Sequence, residues 1–223
     1  MSDYKKRLAP KDGIHPDNKR AIKLIQKYFP DKNVSILDFG CGNGWLLNEL
    51  YKEGYKDLTG VDYKTPTLIN KTIKFKYCNL NNGYIDYKQK FDVVLGLHLI
   101  EHLKSPYNLI NIAYNIIKDG GLFIIAHPDM SNIFHRFNFL LKGENMRFNK
   151  DNSNNVFITN NVFKRFLYGS DVYNIKNNSS KQKFLIKKRI SSNAIMPVFH
   201  FKLPNIRMFE GSVIYVLQKN WEV

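Results

Sequence analysis

Asp38-Phe-Gly-Cys-Gly-Asn-Gly44 places three glycines, Gly40, Gly42 and Gly44, at every second position directly after the apolar pair Ile36 and Leu37. The residues that follow, Trp45-Leu-Leu-Asn-Glu-Leu50, have helical periodicity. A strand, a glycine turn and a helix start together make a cradle for a nucleotide-like ligand. Glycine lets the backbone approach the ligand and take positive φ, and the helix start offers unpaired N–H groups. A dinucleotide site calls for G-x-G-x-x-G/A, but the residue three after Gly42 is Trp45, too large for that packing. Asp62 ends the next apolar run, Leu58-Thr-Gly-Val61, about 20 residues beyond the turn, where an acid can accept from both ribose hydroxyls.

A second set of residues could move protons. His98-Leu-Ile-Glu101-His102 follows the run Phe91-Asp-Val-Val-Leu95, and His127 follows Leu122-Phe-Ile-Ile-Ala126. An imidazole with an ordinary pKa of about 6.5 suits removal of a hydroxyl proton. His102 is the first candidate for that task and His127 the second, with Asp129 able to orient either ring; the alternative for each is a structural histidine. His98 to His102 also match H-x-x-E-H, an inverted zinc-peptidase pattern. That chemistry needs both histidines on one face of a helix and a third ligand downstream, whereas His98 sits at the mouth of a buried strand. Cys41, inside the glycine turn, reads as a packing residue against the ligand rather than a nucleophile.

These residues need elements to hold them. Residues 16–28 carry Ile22, Leu24, Ile25 and Tyr28 at helical spacing, with Pro30 as the stop. Strands are expected at 34–38, 58–62, 73–78, 91–95 and 122–126. Helices are expected from 45 to 52 and from 106 to 117, the latter stopped by Asp119-Gly-Gly121. Strands alternating with helices predict a parallel doubly wound α/β sheet. Beyond Pro128 the chain turns aromatic, basic and Asn-rich through about residue 160, which reads as an insertion or lid. A helix at 161–168 and strands at 183–190 and 212–218 follow. The expectation is one domain, 1–223, with 17–130 binding the ligand, 131–165 as acceptor lid and 166–223 as closing strands.

The D-x-G-x-G-x-G pattern resembles motif I of the class I S-adenosylmethionine (SAM)-dependent methyltransferases. The segment Gly96-Leu-His-Leu-Ile-Glu-His-Leu-Lys-Ser-Pro106 looks like the strand-four region of their small-molecule branch, where a Glu-His pair flanks the methyl donor. Ubiquinone-pathway O-methyltransferases and methyltransferases of surface-polysaccharide clusters belong to that branch. The resemblance covers about residues 17–130 in five features in order, and it weakens beyond 131. It implies a Rossmann-like fold with a mostly parallel seven-stranded sheet and helices on both faces. It also implies SAM as cofactor and S-adenosylhomocysteine as product. The cofactor-binding positions would be Asp38, Gly40, Cys41, Gly42, Gly44, Asp62, Tyr63, Asn79, Leu80, Leu97 and His98, with Asn79 standing where many relatives carry an adenine-binding Asp. His102 and His127 are the catalytic candidates, and no metal is implied.

Composition bounds the reading. The chain has 223 residues, 43% hydrophobic and 14% aromatic, as a folded domain requires. No apolar run approaches the ~20 residues that span a bilayer. The basic start Met1-Ser-Asp-Tyr-Lys-Lys-Arg7 has no apolar stretch after it, so a cytoplasmic protein is expected. Cys41 and Cys78 give neither a disulfide framework nor a zinc set. The net charge of +15 admits an anionic partner or a general bias toward Lys, Asn and Ile. The first implied function is O-methylation of a small or carbohydrate-like acceptor, phosphorylated or nucleotide-linked, held by Arg136, Lys142, Arg147 and Arg165. The alternatives are an RNA or protein methyltransferase and a SAM-binding subunit without catalysis. Nucleic acid is not favoured, because strand four ends without the Asp/Asn-Pro-Pro-Tyr/Phe of amino-group DNA methyltransferases and the chain has no Pro-Cys dipeptide.

Overall fold

The computed structural model describes residues 15–82, 88–143, 153–168, 182–193 and 210–220. Pro16 opens α1 (Pro16–Tyr28) at a position where its missing N–H costs nothing, and His15 caps the helix by accepting from the Asp17 N–H at 3.2 Å. Ala21, Leu24 and Ile25 form its buried stripe. β1 (Ser35–Phe39) is buried along its whole length, as a central parallel strand must be. The glycine turn then hands the chain to α2 (Trp45–Lys52), which buries Leu46, Leu47 and Leu50.

β2 (Asp57–Asp62), β3 (Lys74–Tyr77), β4 (Phe91–Leu97) and β5 (Ile117–Pro128) complete the parallel part. α3 (Pro106–Ile116) links β4 to β5. β6 (Phe184–Asn193) and β7 (Glu210–Lys219) close the sheet, with β7 antiparallel to both β5 and β6. The order is β3-β2-β1-β4-β5-β7-β6, seven strands in one sheet. Between β5 and β6 lie α4 (Ile133–Lys142) and α5 (Asn160–Phe166). One apolar layer joins the sheet to α3 and α5 through Leu109, Ile110, Ala113, Phe163 and Phe166. The other joins it to α1 and α2 through Ile25, Leu47, Leu50 and Tyr55.

One expectation needs correcting. Asp119-Gly120-Gly121 is not a helix stop, because α3 ends at Ile116 and β5 already begins at Ile117. The pairing skips from Phe91↔Ile117 to Val93↔Leu122, so the Gly pair forms a bulge within β5. Gly121 is needed there, since a Cβ would stand 2.9 Å from the Asp92 carbonyl oxygen. The expected lid segment contains a ten-residue helix, α4, and from residue 153 a stretch without helix or strand that runs into α5. Arg147, Lys181 and the first fourteen residues lie outside the described residues.

Candidate active site

The glycine turn sits at the carboxyl ends of β1 and β2, beside β4. Gly40, Gly42 and Gly44 all have positive φ, at 69°, 55° and 81°. Gly44 caps α2 in the left-handed region, and a Cβ on it would press to 2.8 Å from the Ile69 side chain. At Gly40 a Cβ would meet Leu99 at 3.0 Å, whereas at Gly42 it would meet nothing within 4 Å. The turn is therefore closed on its protein side and open above Gly42. The Asp62 carboxylate spans the opening, accepting from the Gly42 N–H at 2.9 Å and the Lys64 N–H at 3.0 Å.

Asp38 is buried next to this turn. Burial, and then the charge of Asp62, push its carboxyl up to about 7. Cys41 turns its thiol into the core beside Gly60, whose added Cβ would lie 2.9 Å from Sγ. Burial and then the carboxylates of Asp38 and Asp62 push the thiol up to about 12, which removes it as a nucleophile. Cys41 therefore faces the cradle with its backbone only. Tyr63 is more than half exposed beside Lys64. Asn79 closes an Asx turn onto the Asn81 N–H at 3.0 Å, Leu80 packs on the α3 side of the core and Leu97 on the α2 side.

At the carboxyl end of β4 the chain bends sharply. His98 has φ of 52°, an uncommon conformation for a non-glycine residue that costs on the order of 1–3 kcal/mol. Two contacts hold it there: its N–H donates to the Ala126 carbonyl at 2.8 Å, and its ring Nε2 meets Asp17 Oδ2 at 2.9 Å. Asp17 is a hub that was not foreseen from the sequence. Its carboxylate also accepts from Ser212 Oγ at 2.6 Å and from Arg20 at 2.7 Å. Burial would raise Asp17, but the bonds from His98 and Ser212 and the nearby imidazoles hold it well below the usual carboxylate range. Burial would lower His98, but the bonds to Asp17 and Glu101 lift it to about 9. His98 is thus an imidazolium latching α1 onto the ends of β4 and β7. An acid at the second position of a helix ordinarily reads as a solvent-facing cap, and its partners lie 81 and 195 residues away in sequence.

His98, Glu101 and His102 do not form a zinc-peptidase motif. The positive φ at His98 breaks the chain, and only Ile100–His102 forms a single 3-10 turn. Among the described residues, His15, Asp17 and His98 form the group close enough to share an ion, but both Asp17 oxygens are already engaged by Arg20, Ser212 and His98.

Glu101 is buried between two imidazoles, with Oε1 at 3.6 Å from His98 Nδ1 and 4.0 Å from His102 Nε2. Burial would raise its carboxyl, but the bond and charge of His98 hold it below the ordinary value. Its Oε2 has no hydrogen-bond partner. His102 is partly exposed, and its Nδ1 lies 3.0 Å from the Ser153 carbonyl oxygen. The Ser153 hydroxyl lies 3.2 Å from the same nitrogen, so Nδ1 donates to the carbonyl in one tautomer and accepts from the hydroxyl in the other.

His127 is placed differently. It is fully buried inside β5, against the rings of Phe163 and Tyr215 at 4.9 and 5.8 Å. Its Nδ1 donates to the Pro128 carbonyl at 2.9 Å, which leaves Nε2 as a bare acceptor without a partner. Burial pushes its pKa down. Asp129 is buried too; Oδ1 accepts from the N–H and hydroxyl of Ser131, and Oδ2 has no partner. Of the four cations expected to hold an anion, Arg136 gives its Nε to the Ser131 carbonyl at 2.7 Å, while Lys142 stands exposed at the far end of α4 and Arg165 exposed on α5.

Three comparisons fit this arrangement. A family profile described as "Methyltransferase domain" matches residues 14–155. The ubiquinone biosynthesis O-methyltransferase of Hydrogenovibrio crunogenus (strain DSM 25203 / XCL-2) is 26% identical over 117 residues, covering 48% of this chain and 48% of that protein. The chain spans about half the length of the curated relatives it matches. Among solved structures, the MccD protein superposes with a TM-score of 0.63 at 12% identity, covering 92% of this chain and 98% of that one. A SAM-dependent methyltransferase from Archaeoglobus fulgidus gives 0.59 at 15% identity, covering 98% and 100%. At these identities the structural likeness speaks for the fold, a Rossmann-like sheet of the expected kind.

Proposed function

The chain belongs to the methyltransferase-domain family, and from that premise we propose that it transfers a methyl group from SAM to a hydroxyl oxygen of a small, hydroxyl-rich acceptor. The observation that carries this reading is the glycine turn left open above Gly42 and bridged by Asp62, with the Glu101–His102 pair at the end of the neighbouring strand. The residues present suit the cofactor: Asp62 can exchange its Gly42 bond for ribose hydroxyls, and the buried carboxyl of Asp38 favours a cation nearby. When bound, SAM supplies a methyl group on a sulfonium, ready for in-line displacement.

The chain's own part is alignment and proton removal. Alignment of reacting atoms is worth on the order of 7–11 kcal/mol in the best cases. His102 Nε2 takes the hydroxyl proton, in the tautomer whose Nδ1 donates to the Ser153 carbonyl. Glu101, ionised 4.0 Å away, stabilises the imidazolium that results. His127 is a poorer base, since it is buried on all sides and its pKa is lowered. In this reading residues 17–130 hold the cofactor, 131–165 cover the acceptor and 166–223 close the sheet.

The acceptor's character follows from unsatisfied groups. Glu101 Oε2 and Asp129 Oδ2 are buried without partners at the ends of β4 and β5, and a carboxylate oxygen only accepts. An unmade hydrogen bond on a buried group costs about 1–3 kcal/mol. Hydroxyls of a carbohydrate-like acceptor would supply the missing donors, whereas a phosphate next to ionised Glu101 would be repelled. The test is methyl transfer from labelled SAM to a panel of neutral sugars and their phosphates. The reading expects label on the neutral sugars and calls for an O-methyl linkage in the product. Transfer to the phosphates alone, or to nitrogen, would overturn it.

A further inference from the structure

An amphipathic helix ordinarily turns its apolar stripe toward the core, and α1, α2 and α3 do so. α4 does the reverse. Within Ile133-Phe-His-Arg-Phe-Asn-Phe-Leu-Leu-Lys142, the buried side chain is His135. Phe137, Leu140 and Leu141 fall at i, i+3 and i+4, on the side of the helix turned away from His135. They are 60%, 78% and 66% exposed, and Phe139, four residues from His135 on its side of the helix, is 60% exposed. Single exposed apolar residues are ordinary, but three large ones on one face of a ten-residue helix mark a surface that is covered in use.

The charges say by what. Arg136 borders the stripe beside Leu140 and is exposed, Lys142 is exposed at the last residue of the helix, and the chain as a whole carries +15. Such an excess repels a second copy of the same chain. It attracts an anionic leaflet, where each cation near the surface contributes about 1 kcal/mol. Phe and Leu on one face with Lys and Arg around it is the pattern of helices that lie in the bilayer interface. A nucleic acid would satisfy the cations and leave the Phe and Leu stripe without a use.

We infer that α4 is a membrane-surface helix: its Phe137, Leu140 and Leu141 stripe rests in the interface of an anionic bilayer, with Arg136, beside Leu140, on the headgroup phosphates. α4 begins at Ile133, five residues after β5 ends at Pro128 and close in sequence to Asp129. Docking it would hold the carboxyl ends of β4 and β5 near the headgroup plane. The inference stands on α4 alone and does not depend on which acceptor is methylated.

The test is flotation of the full chain with vesicles of phosphatidylcholine and phosphatidylglycerol, against vesicles of phosphatidylcholine alone. Leu140→Asp and Leu141→Asp are compared singly and together with the unaltered chain, and S-adenosylhomocysteine binding is measured on each to check that the cradle is intact. The expected result is flotation with the anionic vesicles only, weakened about tenfold or more by each substitution, with cofactor-product binding retained. No flotation of the unaltered chain would overturn the inference. So would flotation that the two substitutions leave unchanged, since charge alone would then explain it. A self-associated chain that the substitutions convert to monomer, without vesicle binding, would assign the stripe to a second copy instead.

Discussion

At the scale of single residues, the site separates groups that hold from groups that react. His98 holds. It pays for a left-handed backbone and is fixed by Asp17, Glu101 and the neighbouring ring of His15, 4.0 Å away. Its folded pKa of about 9 lies above the ordinary 6.5, so its contribution to stability is complete below about 6.5 and fades as pH rises through 9. Asp17 is depressed, so its contribution is complete above its ordinary 3.8 and is lost as pH falls below that. Thermal melts should therefore show a plateau between about pH 3.8 and 6.5 and a decline from there to about pH 9. His98→Asn, which tolerates the backbone angle, should remove the alkaline decline; an unchanged decline would show that the latch does not set it. His102 reacts. His102→Gln should lower turnover by about 10²–10⁴ and leave S-adenosylhomocysteine binding as it was, whereas a loss of binding with turnover preserved would make it structural. The sequence read His98 as bordering the cofactor and His102, four residues on, as a base, and gave no sign of the latch. What distinguishes them is Asp17, whose partners come from strands far along the chain.

At the scale of elements, the glycine turn explains why the cradle lies where it does. Its strand, turn and helix were legible in the sequence because each signal is local: a short apolar run, glycines at positive φ, then helical spacing. The Asp119-Gly-Gly turn was misread because a glycine pair after a helix signals a stop equally well as a bulge, and only the pairing of β4 with β5 decides. The inverted α4 was also beyond sequence reading, since periodicity shows a stripe but not the side it faces. The turn gives a contrast between two substitutions. Gly44→Ala drives a methyl group into Ile69 at a left-handed position and should destabilise the fold markedly. Gly42→Ala meets no protein atom, so it should cost only about 1 kcal/mol of stability, the backbone's share. It should nevertheless impair cofactor binding, because the new methyl stands in the opening. Equal melting temperatures for the two variants, read by calorimetry, would contradict this account of the turn.

At the scale of the whole molecule, the seven-stranded sheet brings three distant stretches of chain to one end: the turn at 40–44, the segment 98–102 and the residues 127–129. The alternation of strands and helices announced that convergence, whereas the positive charge did not announce its own use. Charge spread over the chain leaves composition and binding indistinguishable until an outward apolar helix shows where it would act. Among the described residues no helix is long and apolar enough to cross a membrane. The central claim is that the open glycine turn and Asp62 hold SAM. It is tested most directly by titrating S-adenosylhomocysteine into the unaltered chain, Asp62→Ala and Gly42→Ala in a calorimeter. The account predicts saturable one-site binding by the unaltered chain, weakened about tenfold or more in Asp62→Ala by loss of the ribose hydrogen bonds and weakened likewise in Gly42→Ala, with melting temperatures nearly preserved. No heat from the unaltered chain at millimolar ligand, or equal affinity in all three proteins, would contradict it.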